Sequence, residues 1–174
     1  MATKARIREI VQEIISAHNI TSAPIDIERL AKADGAVVQY RPFEKSVSGF
    51  SYSEGNEKII GVNVTESDVR QRFTLAHEFG HLMLGVKGLH YDQGTGLQFR
   101  NGLSSTGTDK KEIEANFFAA ELLMPQDMLI RDLEKIMKKQ KDAEAIAEEL
   151  ARIYNVSNQA MNVRLTSLGL FSIV

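Results

Sequence analysis

Two histidines four residues apart, His77 and His81, bracket a glutamate, Glu78, in the stretch FTLAHEFGHLML. On a helix, residues four apart stack on one face, so both imidazoles can reach a common cation while Glu78 is turned to the side. Zinc held by three protein ligands leaves a fourth position for water, lowers that water's pKa toward neutrality and polarises a carbonyl. Glu78 then stands where a general base takes the proton of the attacking water and hands it to a leaving amine. The competing explanation is polar residues meeting by chance on a helix. Two of the chain's four histidines fall in this one motif, which favours the metal reading. Gly80 keeps the helix surface low beside the histidines, so that a strand or a substrate can approach closely, at a helical cost of about 1 kcal/mol relative to Ala.

A third ligand must come from elsewhere. His18 ends the first helical segment and His90 sits in a glycine-rich stretch, and both read as ordinary polar residues. The next helical run, KKEIEANFFAAELLMP, offers Glu112 and Glu114. Glu112 is in phase with Ala115, Asn116, Ala119 and Leu123, a stripe of mostly small residues that can pack tightly on the histidine helix, whereas Glu114 shares its side with Phe117, Phe118 and Glu121. That phase favours Glu112 over Glu114. Asn116, one turn further on, is a candidate to orient a ligand by hydrogen bonding.

The chain of 174 residues is 43% hydrophobic and 25% charged, enough for one well-buried core. It contains no cysteine, which excludes disulfide frameworks and thiolate metal sites. A formal charge of −2 gives no general electrostatic case for binding nucleic acid or an anionic membrane. The start, MATKARIREIVQEII, is interleaved with charge and reads as neither a signal peptide nor a membrane span, so a cytoplasmic protein is expected.

Helical spacing of Ile7, Ile10, Val11, Ile14 and Ile15 predicts a first amphipathic helix. A short second one, IDIERLAKAD, stops at Gly35. Three strand-like runs follow, AVVQYRPF, SVSGFSYS and KIIGVNV, with EGNE as the turn between the last two. The expected fold class is α+β: a small, mainly antiparallel three-stranded sheet packed on an active-site helix from about Glu66 to Leu84, with a helical C-terminal half. From Gly85 to about Thr108 the pattern dissolves into a glycine-rich loop, a candidate lid. KIIGVNV, if it is an edge strand, can pair with an extended peptide, Gly61 permitting close approach; the favoured alternative is an ordinary core strand carrying Ile60, Val62 and Val64. Tyr91 and His90 are candidates to stabilise an oxyanion, each weaker than the alternative of an ordinary loop residue.

The stretch IAEELARIYNVSNQAMNVRLTSLGL reads as two helices around an NVS turn and resembles a helix-turn-helix. Its charges argue against DNA. Glu148 and Glu149 cancel Arg152 and Arg164, and the second helix carries only Arg164, too little to neutralise phosphates.

RFTLAHEFGHLML followed by EIEANFFAAELLMP, with the IIGVN strand, resembles the ImmA/IrrE family of zinc-dependent metallopeptidases over roughly residues 25–170. The resemblance implies a minimal zincin-like core with His77, His81 and Glu112 as metal ligands and Glu78 as general base. It implies one Zn2+ per chain, although Mn2+, Fe2+ or Co2+ also suit such a site. It further implies a regulatory endopeptidase that cuts a helix-turn-helix transcriptional repressor to release stress-response or mobile-element genes. The expected organisation is a metallopeptidase core over residues 1–125 and a helical C-terminal subdomain over 126–174, packed together as one domain. The expected partner is a protein substrate, with no membrane and no direct nucleic-acid binding. The rival readings are a metal-binding DNA-binding protein and a toxin-antitoxin-like interaction module, both without hydrolytic activity.

Overall fold

The computed structural model describes residues 2–44, 46–92, 107–139 and 142–171. Two helices come first, α1 (Lys4–Ala17) and α2 (Ile27–Ala33), each started by a side chain that accepts a first-turn N–H, Thr3 from Arg6 and Asp26 from Arg29. Strands β1 (Val37–Arg41), β2 (Gly49–Glu54) and β3 (Glu57–Asn63) lead into the long helix α3 (Asp68–Met83), then β4 (Gly88–Asp92) and α4 (Gly107–Leu123). The chain continues through α5 (Gln126–Met137), α6 (Ala143–Tyr154) and α7 (Asn158–Ser167).

The class is α+β, but the sheet differs from expectation by a fourth strand and by one parallel pairing. Among the described residues it has four strands in the order β1-β3-β2-β4. β2 and β3 form the hairpin that EGNE predicts, with Gly55 at φ 59°, and β2 also pairs antiparallel with β4. β1 runs parallel to β3, so the sheet is mixed. The fourth strand lies inside the expected glycine-rich loop. The five residues of β4 are too few to show a period, and their ladder to β2 pairs residues from opposite sides of α3 in sequence.

Strand order decides for the core-strand reading of KIIGVNV and against the edge role. β3 is bonded on both sides, by β1 and by β2, and has no free ladder for a peptide. Gly61 answers a different need: a Cβ there would collide with the ring of Phe50 on the neighbouring strand, coming within 2.8 Å of its Cζ. The glycine makes room for an aromatic, not for a substrate.

Alternation of side chains divides the sheet. Val38, Ile60, Ser51 and His90 form one row across the strands, on the face where Ile60 and Ser51 are buried. The adjacent row, Gly61, Phe50 and Tyr91, lies on the opposite face. A single buried cluster joins Ile7 and Val11 of α1, Ile60 and Val62 of β3, Leu75 and Phe79 of α3, Phe118 and Leu122 of α4, and residues of α5, α6 and α7.

The two C-terminal helices meet at Asn155, Val156 and Ser157, with Asn155 left-handed at φ 51° and Ser157 capping α7. Arg164, the one base of α7, does not face solvent. Its guanidinium is buried, grips both oxygens of buried Glu121 on α4 at 2.9 and 2.7 Å, and donates to Met124 O. Such a fork fixes α7 against α4 and removes its only base from any phosphate. Arg164→Ala is expected to cost about 3 kcal/mol of folding stability, since it leaves Glu121 buried with only half-exposed Arg8 beside it. A urea titration of wild type and variant reads this directly.

Candidate metal and active site

α3 carries its polar residues into the interior. His77, Glu78 and His81 are 2%, 0% and 0% exposed, so burying them requires partners or an ion. His77 Nε2 and His81 Nε2 lie 3.0 Å apart. The two oxygens of Glu112 complete a triangle, Oε2 at 3.2 Å from His77 Nε2 and Oε1 at 3.2 Å from His81 Nε2. Ligand atoms on a tetrahedral zinc, each at 2.0–2.1 Å from the ion, stand about 3.3 Å apart. The spacing of the triangle is close to that.

Hydrogen bonding alone does not account for the cluster. Glu112 Oε1 is buried and accepts no hydrogen bond of good geometry, although His81 and His90 nitrogens stand 3.2 and 2.9 Å away. Two imidazole nitrogens and both Glu112 oxygens crowd one point here, an arrangement that a cation resolves. The donor set of two imidazoles and a carboxylate suits zinc and leaves a position open.

The electrostatics keep these donors in their ligating forms. Burial pushes the His81 imidazole down to about 4, against the opposing pull of Glu112, so it is neutral at neutral pH. Burial opposes the charge of Glu112, but the imidazoles of His77, His81 and His90 around it outweigh burial and hold its carboxyl far below the usual range. Asn116 lies one turn beyond Glu112, and its Oδ1 is 3.0 Å from His77 Nδ1. Nδ1–H therefore donates to Asn116, which leaves the Nε2 lone pair directed at the cluster. Among the described residues His81 Nδ1 has no such partner. Asn116→Ala is expected to weaken metal affinity about 10- to 100-fold, measured by competition with a chromophoric chelator, without changing the secondary structure seen by circular dichroism.

Two glycines set the distances. A Cβ on Gly80 would meet Phe118 Cδ1 at 2.9 Å and Ala115 O at 3.3 Å. What approaches the helix at Gly80 is thus α4, the element bearing Glu112, and not a strand or a substrate. A Cβ on Gly49 would overlap Thr74, come within 2.7 Å of Gly61 O and reach 3.5 Å from Glu78 Cγ. Gly49 lets the sheet close on the face of α3 that carries Glu78. Sequence reasoning passed over it, although an isolated glycine inside a strand pattern signals close approach of another backbone.

His90 is the larger omission. It sits on β4 opposite Ser51, on the face turned to α3. Its Nε2 is 2.9 Å from Glu112 Oε1 and its ring centroid is 4.1 Å from that of His81. Glu78, His81 and His90 place one ligand atom each within 4.8 Å of one another, as do His77, His81 and Glu112. Glu112 beside it raises the His90 pKa. The expectation of an ordinary loop histidine fails because β4 exists and because the pleat points residue 90 inward. The same pleat turns Tyr91 outward, 53% exposed and stacked on Phe50 at 6.1 Å between centroids, so Tyr91 does not join the cluster. Gly61 is held under Phe50 and does not join it either. Glu114 is half-buried on α4 and belongs to neither ligand group. Residues 93–106, and with them most of the expected lid, lie outside the described residues.

Comparison with known proteins adds three findings. The sequence model of the M78 peptidases, described as the IrrE N-terminal-like domain, matches residues 31–166. A curated protein of Bacillus phage phi105, named uncharacterized immunity region protein 2, is 26% identical over 119 residues, 68% of either chain. A solved structure described as a Mycobacterium tuberculosis transcriptional regulator superposes with a TM-score of 0.63 at 14% identity, over 92% of this chain. The chain spans about half of that structure's length, 46%, and the likeness concerns the fold alone.

Proposed function

This chain belongs to the M78 peptidase family, that of the IrrE N-terminal-like domain, and from that premise we propose that it is a zinc-dependent regulatory endopeptidase. The observation that carries the reading is the convergence of His77, His81 and Glu112 on one point, with Glu78 and His90 flanking it. His77, His81 and Glu112 would hold the ion. When bound, zinc supplies Lewis acidity toward a carbonyl oxygen and makes water a nucleophile near neutral pH; manganese, iron or cobalt could serve the same donor set.

The chain's own groups divide the remaining work. As the water oxygen bonds to the carbonyl carbon, the Glu78 carboxylate accepts its proton. As the carbon–nitrogen bond breaks, Glu78 returns that proton to the amine nitrogen. His90, whose Nε2 is 2.9 Å from Glu112 Oε1, donates its Nε2–H to the oxygen on which negative charge develops. Among the described residues β4 is an edge strand, bonded only to β2. Its free ladder is the place for an extended peptide, which an interior β3 cannot be.

The substrate we propose is a helix-turn-helix repressor, cut to release stress-response or mobile-element genes. Support comes from the family and from the likeness to a phage immunity-region protein. The ion pair of Arg164 with Glu121 speaks against the rival in which α7 reads DNA. We place the protein in the cytoplasm, where such a substrate acts; no helix among the described residues is long and apolar enough to cross a membrane. The test is incubation of the zinc-loaded protein with the repressor encoded beside its gene, followed by mass spectrometry. Cleavage at one bond, abolished by a chelator and restored by zinc, is the expected result. An intact repressor under those conditions, with zinc bound, would refute that substrate assignment.

A further inference from the structure

One turn before His77 on α3, the chain forms an apolar cavity that the chemistry above does not use. Its volume is about 160 Å3. Phe73 and Val69 of α3, Leu123 and Met124 at the end of α4, Val156 from the turn between α6 and α7, and Ala160 of α7 line it. Leu123, Met124, Val156 and Ala160 are buried and make the floor, whereas Val69 and Phe73 are half-buried at the mouth. The Phe73 ring links cavity and cluster, its centroid 6.3 Å from that of His77. Arg70 stands at the rim with its guanidinium 5.7 Å from the Phe73 ring, hydrogen-bonded to Ser48 and paired with Glu66. Those partners engage the charge of Arg70, which lines the pocket together with Ser67 and Ser157.

Resting on the peptidase reading, we propose that this cavity is the specificity pocket, taking an apolar side chain of the substrate next to the scissile bond. Its size sets the class. A dry apolar cavity of roughly 150 Å3 accepts a benzene-sized group, so leucine, methionine or phenylalanine fits and lysine would bring an unpaired charge into it. The proposal also gives the helix-turn-helix-like segment a task. Val156 and Ala160 form a wall of the pocket, and the buried fork between Arg164 and Glu121 fixes that wall to the helix bearing Glu112. The C-terminal helices thereby read a substrate side chain and not a base pair.

The experiment uses the full chain carrying Glu78→Gln, loaded with zinc, so that binding is measured without turnover. The probes are N-acetylated pentapeptide amides in which the residue on either side of the central bond is leucine, phenylalanine, lysine or glycine. Calorimetry should show leucine or phenylalanine binding at least tenfold tighter than glycine at one of the two positions, with lysine no better than glycine. Val69→Phe, which fills the mouth from a half-buried position, should abolish that preference with zinc content unchanged. Ala160→Phe should do the same from the floor. Equal affinities for all four peptides, no measurable binding of any of them, or a preference that survives Val69→Phe would each overturn the proposal. If the preference appears as expected but the Glu78 protein hydrolyses nothing, the pocket stands and the peptidase reading falls.

Discussion

Glu78→Gln is expected to lower peptide-bond cleavage by about 10²- to 10⁴-fold while zinc stays bound, because a positioned general base contributes a factor of that order. Glu78 is fully buried between α3 and β2, and glutamine preserves its volume, so packing against Gly49 and Thr74 is kept. The remaining carboxylate beside His81 and His90 is that of Glu112, the proposed metal ligand, which a bound ion would occupy. The measurement is cleavage rate at saturating zinc together with metal stoichiometry by elemental analysis. A variant that keeps both metal and rate would show that Glu78 is not the base; one that loses metal would show a structural part for it.

Loss of a ligand should act at the other end of the same experiment. His81→Ala and Glu112→Gln are expected to purify without stoichiometric zinc and to be inactive, whereas Glu114→Gln keeps both. The reason is geometric. Glu112 oxygens lie 3.2 Å from both motif histidines, and Glu114 is in neither ligand group. A structural or catalytic zinc depends on each of its protein donors, and its binding free energy at such sites is on the order of 10 kcal/mol, so one lost donor moves affinity by orders of magnitude. The protein must be purified without chelator or polyhistidine tag. Zinc retained by Glu112→Gln and lost by Glu114→Gln would reverse the assignment.

The rest of the chemistry was unevenly legible. The His-Glu-x-x-His spacing marks a helix face, and phase along α4 separates Glu112 from Glu114; both are periodicities within one element, and they bring the right atoms within reach. Asn116 follows from the same phase, and its hydrogen bond to His77 is found. His90 and Tyr91 could not be told apart. Only the pairing of β4 with β2 decides which of two adjacent residues faces α3, and a shift of one residue would exchange them.

Local pattern also placed the helices, the hairpin turn at Gly55 and the turn at Asn155, because caps, turn residues and apolar stripes act over a few residues. The amino-acid sequence by itself therefore determined the α+β class, the motif face of α3 and the face of α4 that carries Glu112. Tertiary structure alone decided the rest: the parallel partner of β1, β4 and the inward turn of His90. It also decided what each close-packed glycine makes room for: Phe50 at Gly61, α4 at Gly80 and the Glu78 face of α3 at Gly49. The burial of Arg164 against Glu121, 43 residues away, belongs to the same set. These depend on contacts between segments far apart in the chain, where the free energy comes from packing and desolvation against a partner that no local window contains.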